Sequence, residues 1–364
     1  MVKFMVETAS TAKIAENESK AMLSFFKWKT YSETLENDDY LCQDTERHFP
    51  DGQYDKHPLD LVFSYIHPYT GKEIFFYSDL KSYSCASLGP GKMREALKSL
   101  GQSIACARDN EQWRIAFSNP DFSGEVRGLL FLLNHDGDYS QDILAKLNVV
   151  AKFEPEIHKG NRGTLNVENL SIDPNQFVHI MDPTVIVYMQ TIRKDIKSLR
   201  GELKFPLGEK NYYFYFPNLE LHRTQGKEIE FPATVEVLCG PYLIIGNFAV
   251  EQIHPDTGEP IKFNPNFIVY YRLNGGTHEE FLFLIDQLSR YQMFNNGKKV
   301  NIRQVHLNPD PNAEKNFNNA LIEYNKTWSV NGLNPIEEGQ LTFNQISNLE
   351  KRFLPSPLNG ARHL

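Results

Sequence analysis

Residues 60–81 read DLVFSYIHPYTGKEIFFYSDLK, from Asp60 to Lys81. Two aromatic, partly alternating runs, 60–66 and 73–81, flank the segment from His67 to Lys72, which carries the Pro and Gly of a hairpin loop. The pattern predicts two antiparallel strands. With the loop centred between Tyr69 and Thr70, Asp60 faces Asp79. Side chains alternate along a strand, so Asp79 and Lys81 share a face. Directly opposed residues hold their Cβ atoms about 5 Å apart. Two carboxylates and a lysine therefore converge at one end of one hairpin.

Like charges that close repel unless something offsets them, and a divalent cation does so. Mg²⁺ takes oxygen ligands, typically one or two carboxylates completed by substrate phosphate and water. It polarises phosphoryl oxygens and activates water for attack. Lys81, a compact charge with three donors, suits the orientation of that water or the stabilisation of charge in the transition state. Glu18, on a helix expected over residues 12–28, offers a third carboxylate.

Outward from the hairpin, a helix is expected over about 92–108, after Gly89-Pro-Gly91, and strands at 112–118 and 128–134. A short helix near 140–147, a strand near 148–153 and a polar stretch containing HKGNRG lead to a boundary expected within 155–175. Pro183 opens a helix, VIVYMQTIRKDIKSL. Strands are expected at 211–216, at 233–249 with a break at Gly240-Pro241, and at 267–273. Then follow a helix over 277–294, a strand at 299–306 and a helix over 311–328. Residues 1–155 and 175–350 are thus two domains, with 351–364 a loose tail. No internal repeat is evident.

A Glu-bearing helix, a short strand with an aromatic start (Phe26-Lys-Trp-Lys-Thr-Tyr31), an aspartate opening a strand, a hairpin and an Asp-x-Lys closing the next strand resemble the restriction-endonuclease-like superfamily of PD-(D/E)xK nucleases. On that resemblance Asp60 and Asp79 fall on the two acidic positions, Lys81 on the lysine, Glu18 on the first-helix glutamate and Gln102 on a glutamine of the following helix. The proline is displaced, because Leu59 separates Pro58 from Asp60, and Asp79 replaces the commoner glutamate. The resemblance covers roughly residues 12–130. It implies an α/β restriction-endonuclease-like core, with a mixed sheet flanked by helices, while the ordering of helices and strands from 181 to 328 points to a second α/β or α+β domain. It implies a metal-dependent deoxyribonuclease in which Glu18, Asp60 and Asp79 hold Mg²⁺ (Mn²⁺ as substitute), Lys81 assists the water and Gln102 positions it. A restriction or antiphage defence setting follows by analogy, with DNA as partner and either a homo-oligomer or a second defence-system subunit. Two alternatives stand beside this: a catalytically weak structural or DNA-sensing subunit of a larger complex, and a non-nuclease α/β binding module.

Other residues carry weaker signals. Lys92, Arg94 and Lys98 on the helix after the motif, and Arg193, Lys197 and Arg200 at i, i+4, i+7 further on, offer phosphate contacts or plain solvated faces. His48 and His57 read as polar loop residues, with substrate contact as the alternative, and Asp136-Gly-Asp138 as a strand-ending turn. The four cysteines, Cys42, Cys85, Cys106 and Cys239, lie far apart with no C-x-x-C pair, which speaks against structural zinc and against a disulfide framework.

Composition bounds the rest. The 364 residues include 38 Lys and Arg against 46 Asp and Glu, for a net charge of −8. That balance excludes a polycation coating nucleic acid, though a local basic channel coexists with it. Aromatic residues reach 12%, enough to fill a large core and leave partner surfaces. No secretory h-region and no 18-residue apolar window are present, so a cytoplasmic protein without membrane spans is expected.

Overall fold

The computed structural model describes residues 22–31, 40–52, 54–57, 59–84, 89–117, 125–134, 136–139, 147–148, 165–166, 170, 172–217, 230–331 and 333–351. The chain divides into two compact units, Met1–Ile186 with Lys351–Leu364, and Val187–Glu350. Glu18, the short helix expected near 140–147, the HKGNRG stretch and most of the tail lie outside the described residues. Among the described residues no helix is long and apolar enough to cross a membrane.

In the first unit β1 (Lys29–Thr30) is followed by the ribbon β2 (Tyr40–Leu41), α1 (Thr45–His48) and β3 (Lys56–His57). The hairpin β4 (Leu61–Ile66) and β5 (Glu73–Tyr83) comes next, then α2 (Pro90–Asp109), α3 (Glu111–Phe117) and β6 (Glu125–Asn134). The short pair β7 (Leu147–Asn148) and β8 (Leu165–Asn166) precedes β9 (Val178–Met181); α4 (Pro183–Gly201) follows, and from Val187 on it belongs to the second unit. The main sheet runs β1-β4-β5-β6-β9. Its β1–β4 and β4–β5 pairs are antiparallel and its β5–β6 and β6–β9 pairs parallel.

The hairpin register is the one expected: Leu61 pairs with Ser78 and Ile66 with Glu73. The loop closes on itself, with His67 N–H donating to the Lys72 carbonyl and Gly71 N–H to the His67 carbonyl, both at 2.8 Å. Gly71 there has φ +66°, a conformation a side chain would strain. Both faces of β5 are buried, which explains its nearly continuous aromatic run. On one face Trp28 stacks on Phe63 at 4.5 Å and Phe63 on Phe76 at 4.9 Å. On the other, Phe75 and Tyr77 meet α2, whose Met93, Leu97, Leu100 and Ile104 fall on one helical stripe. α2 lies so close to β6 that a Cβ on Gly128 would sit 2.9 Å from Leu100 Cγ.

Residues 112–117, the described part of the strand expected at 112–118, correct that expectation. They form most of α3, because Asn110 caps it: Trp113 N–H donates to Asn110 Oδ1 at 3.0 Å. Trp113 and Phe117, one turn apart, are both buried, while Ile115 is exposed.

The second unit contains β10 (Tyr212–Phe214), α5 (Val235–Leu238), β11 (Tyr242–Asn247) and the ribbon β12 (Val250–Ile253) and β13 (Pro260–Phe263). It continues with β14 (Phe267–Tyr271), α6 (His278–Arg290), β15 (Val300–Gln304), α7 (Ala313–Trp328) and β16 (Leu341–Gln345). The strand expected at 233–249 is thus a turn of helix before Gly240 and a strand after Pro241, Thr234 capping the helix through Val237 N–H. The sheet runs β10-β11-β14-β15-β16, with two antiparallel pairs and then two parallel ones. Strand order and pairing senses repeat those of the first unit, although the sequence shows no repeat. α6 and α7 pack on one face of this sheet through Phe281, Leu284, Leu288, Phe317 and Ala320. A buried ion pair, Asp195 with Arg303, sits within the unit, and Tyr270 Oη donates to Asp195 Oδ2 at 2.7 Å.

Candidate functional site

β5 outruns its partner. The β4 ladder ends at Leu61 opposite Ser78, so Asp79 to Tyr83 project beyond it, held on their other side by β6. Asp60, the residue ahead of β4, turns its carboxylate onto this overhang and accepts the Leu80 N–H at 2.9 Å. A backbone donor left over by the shorter strand thus fixes the first acid.

Asp79 and Lys81 are next-but-one neighbours on β5, on the face that carries Phe75 and Tyr77 against α2. Lys81 Nζ and Asp79 Oδ1 are 2.6 Å apart. The Asp79 side chain is 13% exposed and that of Lys81 38%. Burial pushes the Asp79 carboxyl up to about 6 against the pull of Lys81, and the neighbouring charge of Asp60 adds to the rise. Burial pulls the Lys81 ammonium down, but Asp79 and Asp60 outweigh it and its pKa rises. The three residues that the hairpin register brings together are therefore electrostatically coupled. A buried acid strained toward its neutral form, beside a second acid and an ammonium, is a common property of functional sites. Two hard carboxylate oxygen donors suit Mg²⁺ or Mn²⁺.

The structure places the remaining expected residues as follows. Gln102, on α2, donates from Nε2 to the His48 carbonyl at 3.2 Å. Lys92 lies over the Tyr83 ring at 5.4 Å, Arg94 is half-buried and Lys98 exposed. On α4, Lys197 is exposed and Arg193 half-buried. Arg200 is engaged locally, donating to the Pro206 and Gly208 carbonyls and stacking over Phe205 and Tyr212. Asp136-Gly-Asp138 is the expected turn, with Asn134 Oδ1 accepting the Gly137 N–H at 2.7 Å.

At the matching end of the β11–β14 ladder in the second unit, Tyr242 pairs with Tyr271 and both side chains pack toward α6. Gly240 and Leu273 lie beyond them. No carboxylate and no lysine stands at these positions.

A second constellation was not legible in the sequence. Cys42, His48, His57 and Cys106 come from the β2 end, α1, β3 and α2, and their ligand atoms all lie within 4.8 Å of one another. This Cys₂His₂ set is able to coordinate a metal ion. It corrects the expectation that the cysteines stay apart, since Cys42 and Cys106 Sγ are 3.6 Å from each other. It also corrects the reading of His48 and His57 as polar loop residues, because both are buried. Sequence spacing hid the cluster: its ligands span residues 42 to 106 and contain no short C-x-x-C or H-x-H pair.

Among known families, residues 5–183 match the model described as the GAPS4 protein PD-(D/E)XK nuclease domain. No curated protein and no solved structure matches the chain.

Proposed function

Since residues 5–183 belong to the PD-(D/E)XK nuclease superfamily, in its GAPS4 family, we propose that this chain is a metal-dependent deoxyribonuclease acting in antiphage defence, with Asp60, Asp79 and Lys81 as its active site. The observation that carries the reading is the junction of the β4–β5 ladder. There two carboxylates and an ammonium meet at one end of the ladder, Asp60 is fixed by the Leu80 N–H, and Asp79 is largely desolvated beside Lys81.

Asp60 and Asp79 would hold Mg²⁺, or Mn²⁺ in its place, through their carboxylate oxygens. When bound, the ion supplies Lewis-acid polarisation of the scissile phosphate and offsets the charge that builds on its oxygens. Asp79 must be ionised for this role, and burial alone opposes that; a cation restores it. Lys81 has two tasks at different times. Without substrate it pairs with Asp79. With a phosphodiester present, its Nζ donates to a non-bridging phosphate oxygen or to the attacking water, lining that water up with phosphorus. The apolar floor under these residues, Phe75, Tyr77 and Leu130, keeps bulk water from screening the charges. Glu18 completes the acidic set in the family pattern.

Incubation of the full chain with linear and circular DNA, with Mg²⁺ or Mn²⁺ and with or without co-purified partners, tests this. Cleavage that requires the metal and is lost in Asp79→Ala supports the assignment. Retained cleavage in a folded Asp79→Ala chain overturns it.

A further inference from the structure

His57 is 1% exposed, and its Nε2 has no hydrogen-bond partner. Its other nitrogen, Nδ1, lies 3.4 Å from Ser103 Oγ. Ser103 Oγ already donates its proton to the Ser99 carbonyl at 2.9 Å, so toward His57 it accepts. That fixes the tautomer: Nδ1 carries the proton and Nε2 presents a bare lone pair. A buried lone pair without a donor is rare in a folded protein, and it calls for a partner. A hydrogen-bond acceptor behind a ligating imidazole, setting which nitrogen is free, is the usual outer support of a metal site, and Ser103 Oγ fills that place.

The rest of the donor set fits one ion. His48 Nδ1 is 3.3 Å from both Cys42 Sγ and Cys106 Sγ, and the two sulfurs are 3.6 Å apart. For zinc bonded to sulfur at about 2.3 Å and to nitrogen at about 2.0–2.1 Å, a tetrahedron has S–S edges of about 3.8 Å and S–N edges of about 3.6 Å. The observed separations are those edges slightly contracted, and far too long for a disulfide bond. Two thiolates with two imidazoles select zinc among common divalent ions.

We propose that Cys42, His48, His57 and Cys106 bind a structural Zn²⁺ ion. With four protein ligands no position remains open for substrate, so the ion is a brace and not a reactant. It ties the β2–α1–β3 segment to α2, and that segment leads straight to the acidic centre, since His57 is followed three residues later by Asp60. Neighbouring contacts run the same way. Tyr40 Oη donates to the Ser103 carbonyl, Tyr77 lies against Ser103 and Tyr40, and Gln102 holds the His48 carbonyl. Zinc would therefore fix the approach of Asp60 to Leu80 from behind.

Metal analysis of the full chain, purified under reducing conditions without a metal-affinity tag, tests this. About one zinc per chain is expected, as for any closed four-ligand site. Cobalt substitution should give the thiolate charge-transfer and tetrahedral ligand-field bands of an S₂N₂ site. Cys106→Ser and His57→Ala should each lower zinc content at least tenfold, whereas Cys239→Ser, on an exposed thiol, should leave it unchanged. Should the ligand variants fail to fold, the wild-type chain decides alone: titration of its thiols with a mercurial must release zinc in step with two sulfurs. A wild-type chain without zinc, one carrying iron instead, a Cys42–Cys106 disulfide seen by mass spectrometry, or a folded Cys106→Ser chain with full zinc would each overturn the proposal. DNA cleavage enters none of these readouts, so their outcome is separable from that of the nuclease reading.

Discussion

Replacing Asp79 with asparagine separates what the acidic centre costs the fold from what it does. Folding leaves the Asp79 side chain 13% exposed beside Lys81, and burial, with Asp60 adding to it, raises its pKa from 3.8 to about 6 despite Lys81. A carboxyl raised by folding holds its proton more tightly in the native state. Its contribution is therefore most favourable below about pH 4, declines as pH rises toward 6, and is fully lost above that. Roughly two units at 1.36 kcal/mol each make the ionised acid about 3 kcal/mol unfavourable at pH 7.5. The Lys81 attraction is already inside that net shift, so an amide, which resembles the protonated acid, recovers most of it. Allowing for solvent around Lys81, Asp79→Asn should be more stable than wild type by roughly 2–3 kcal/mol at pH 7.5 without added magnesium, and the gap should close by about pH 4. Urea denaturation across that range measures it. Magnesium then closes the gap: at a hundredfold excess over Kd it stabilises wild type by about 2.7 kcal/mol, while the variant, with one carboxylate, responds little. A variant no more stable than wild type at pH 7.5, or one that gains as much from magnesium, refutes the reasoning.

Three further outcomes are expected. Lys81→Gln should lower kcat for DNA cleavage by roughly 10²-fold, as loss of one charge-stabilising donor does, while the magnesium-induced rise in Tm persists; a lost rise would make Lys81 part of the binding site instead. Gly128→Ala, which presses a methyl onto Leu100 2.9 Å away, should cost roughly 1–3 kcal/mol in urea denaturation. Asp195→Ala, which strands the Arg303 guanidinium where the structure buries it, should cost roughly 3–5 kcal/mol, and Asp195→Leu combined with Arg303→Met should recover most of that in the same assay.

How far each feature could be read from the sequence depended on how local its cause is. The hairpin register follows from a two-residue period and one short loop, so the pairing of Leu61 with Ser78 was legible before any coordinates. Residues 112–117 were misread for a local reason of another kind. Trp113, Ile115 and Phe117 alternate as a strand would, but Trp113 and Phe117 also lie one helical turn apart, and the Asn110 cap decides for the helix. The acidic centre was legible because two of its residues sit on one strand and the third is fixed by register. The Cys₂His₂ cluster was not, because it joins a ribbon, a four-residue helix and a long helix whose packing no spacing encodes.

The second unit shows how far fold and chemistry come apart. Its sheet has the strand order and pairing senses of the first, and these are set by apolar faces and crossover helices, which tolerate almost any sequence of the right pattern. The acids are another matter. A strand end can keep buried charge only if something repays the desolvation, and where the first unit sets Asp60 and Asp79 beyond the ladder, the second sets Gly240 and Leu273 beyond its Tyr242–Tyr271 pair. The carboxylate at that corner, Glu280, comes from α6 and accepts from Tyr271 Oη and the Gly275 N–H instead of standing on a strand end. That is why the repeat escaped the sequence: what is repeated is a pattern of burial, and what makes the first copy recognisable is the strand-end pair of carboxylates with a lysine that the second copy lacks. The nuclease proposed above places hydrolysis in the first unit, so a single substitution at Asp79 should abolish cleavage by the whole chain. Residual metal-dependent cleavage in a folded Asp79→Ala protein would mean that the second unit, or acids elsewhere, supply a centre that strand ends of this composition should not hold.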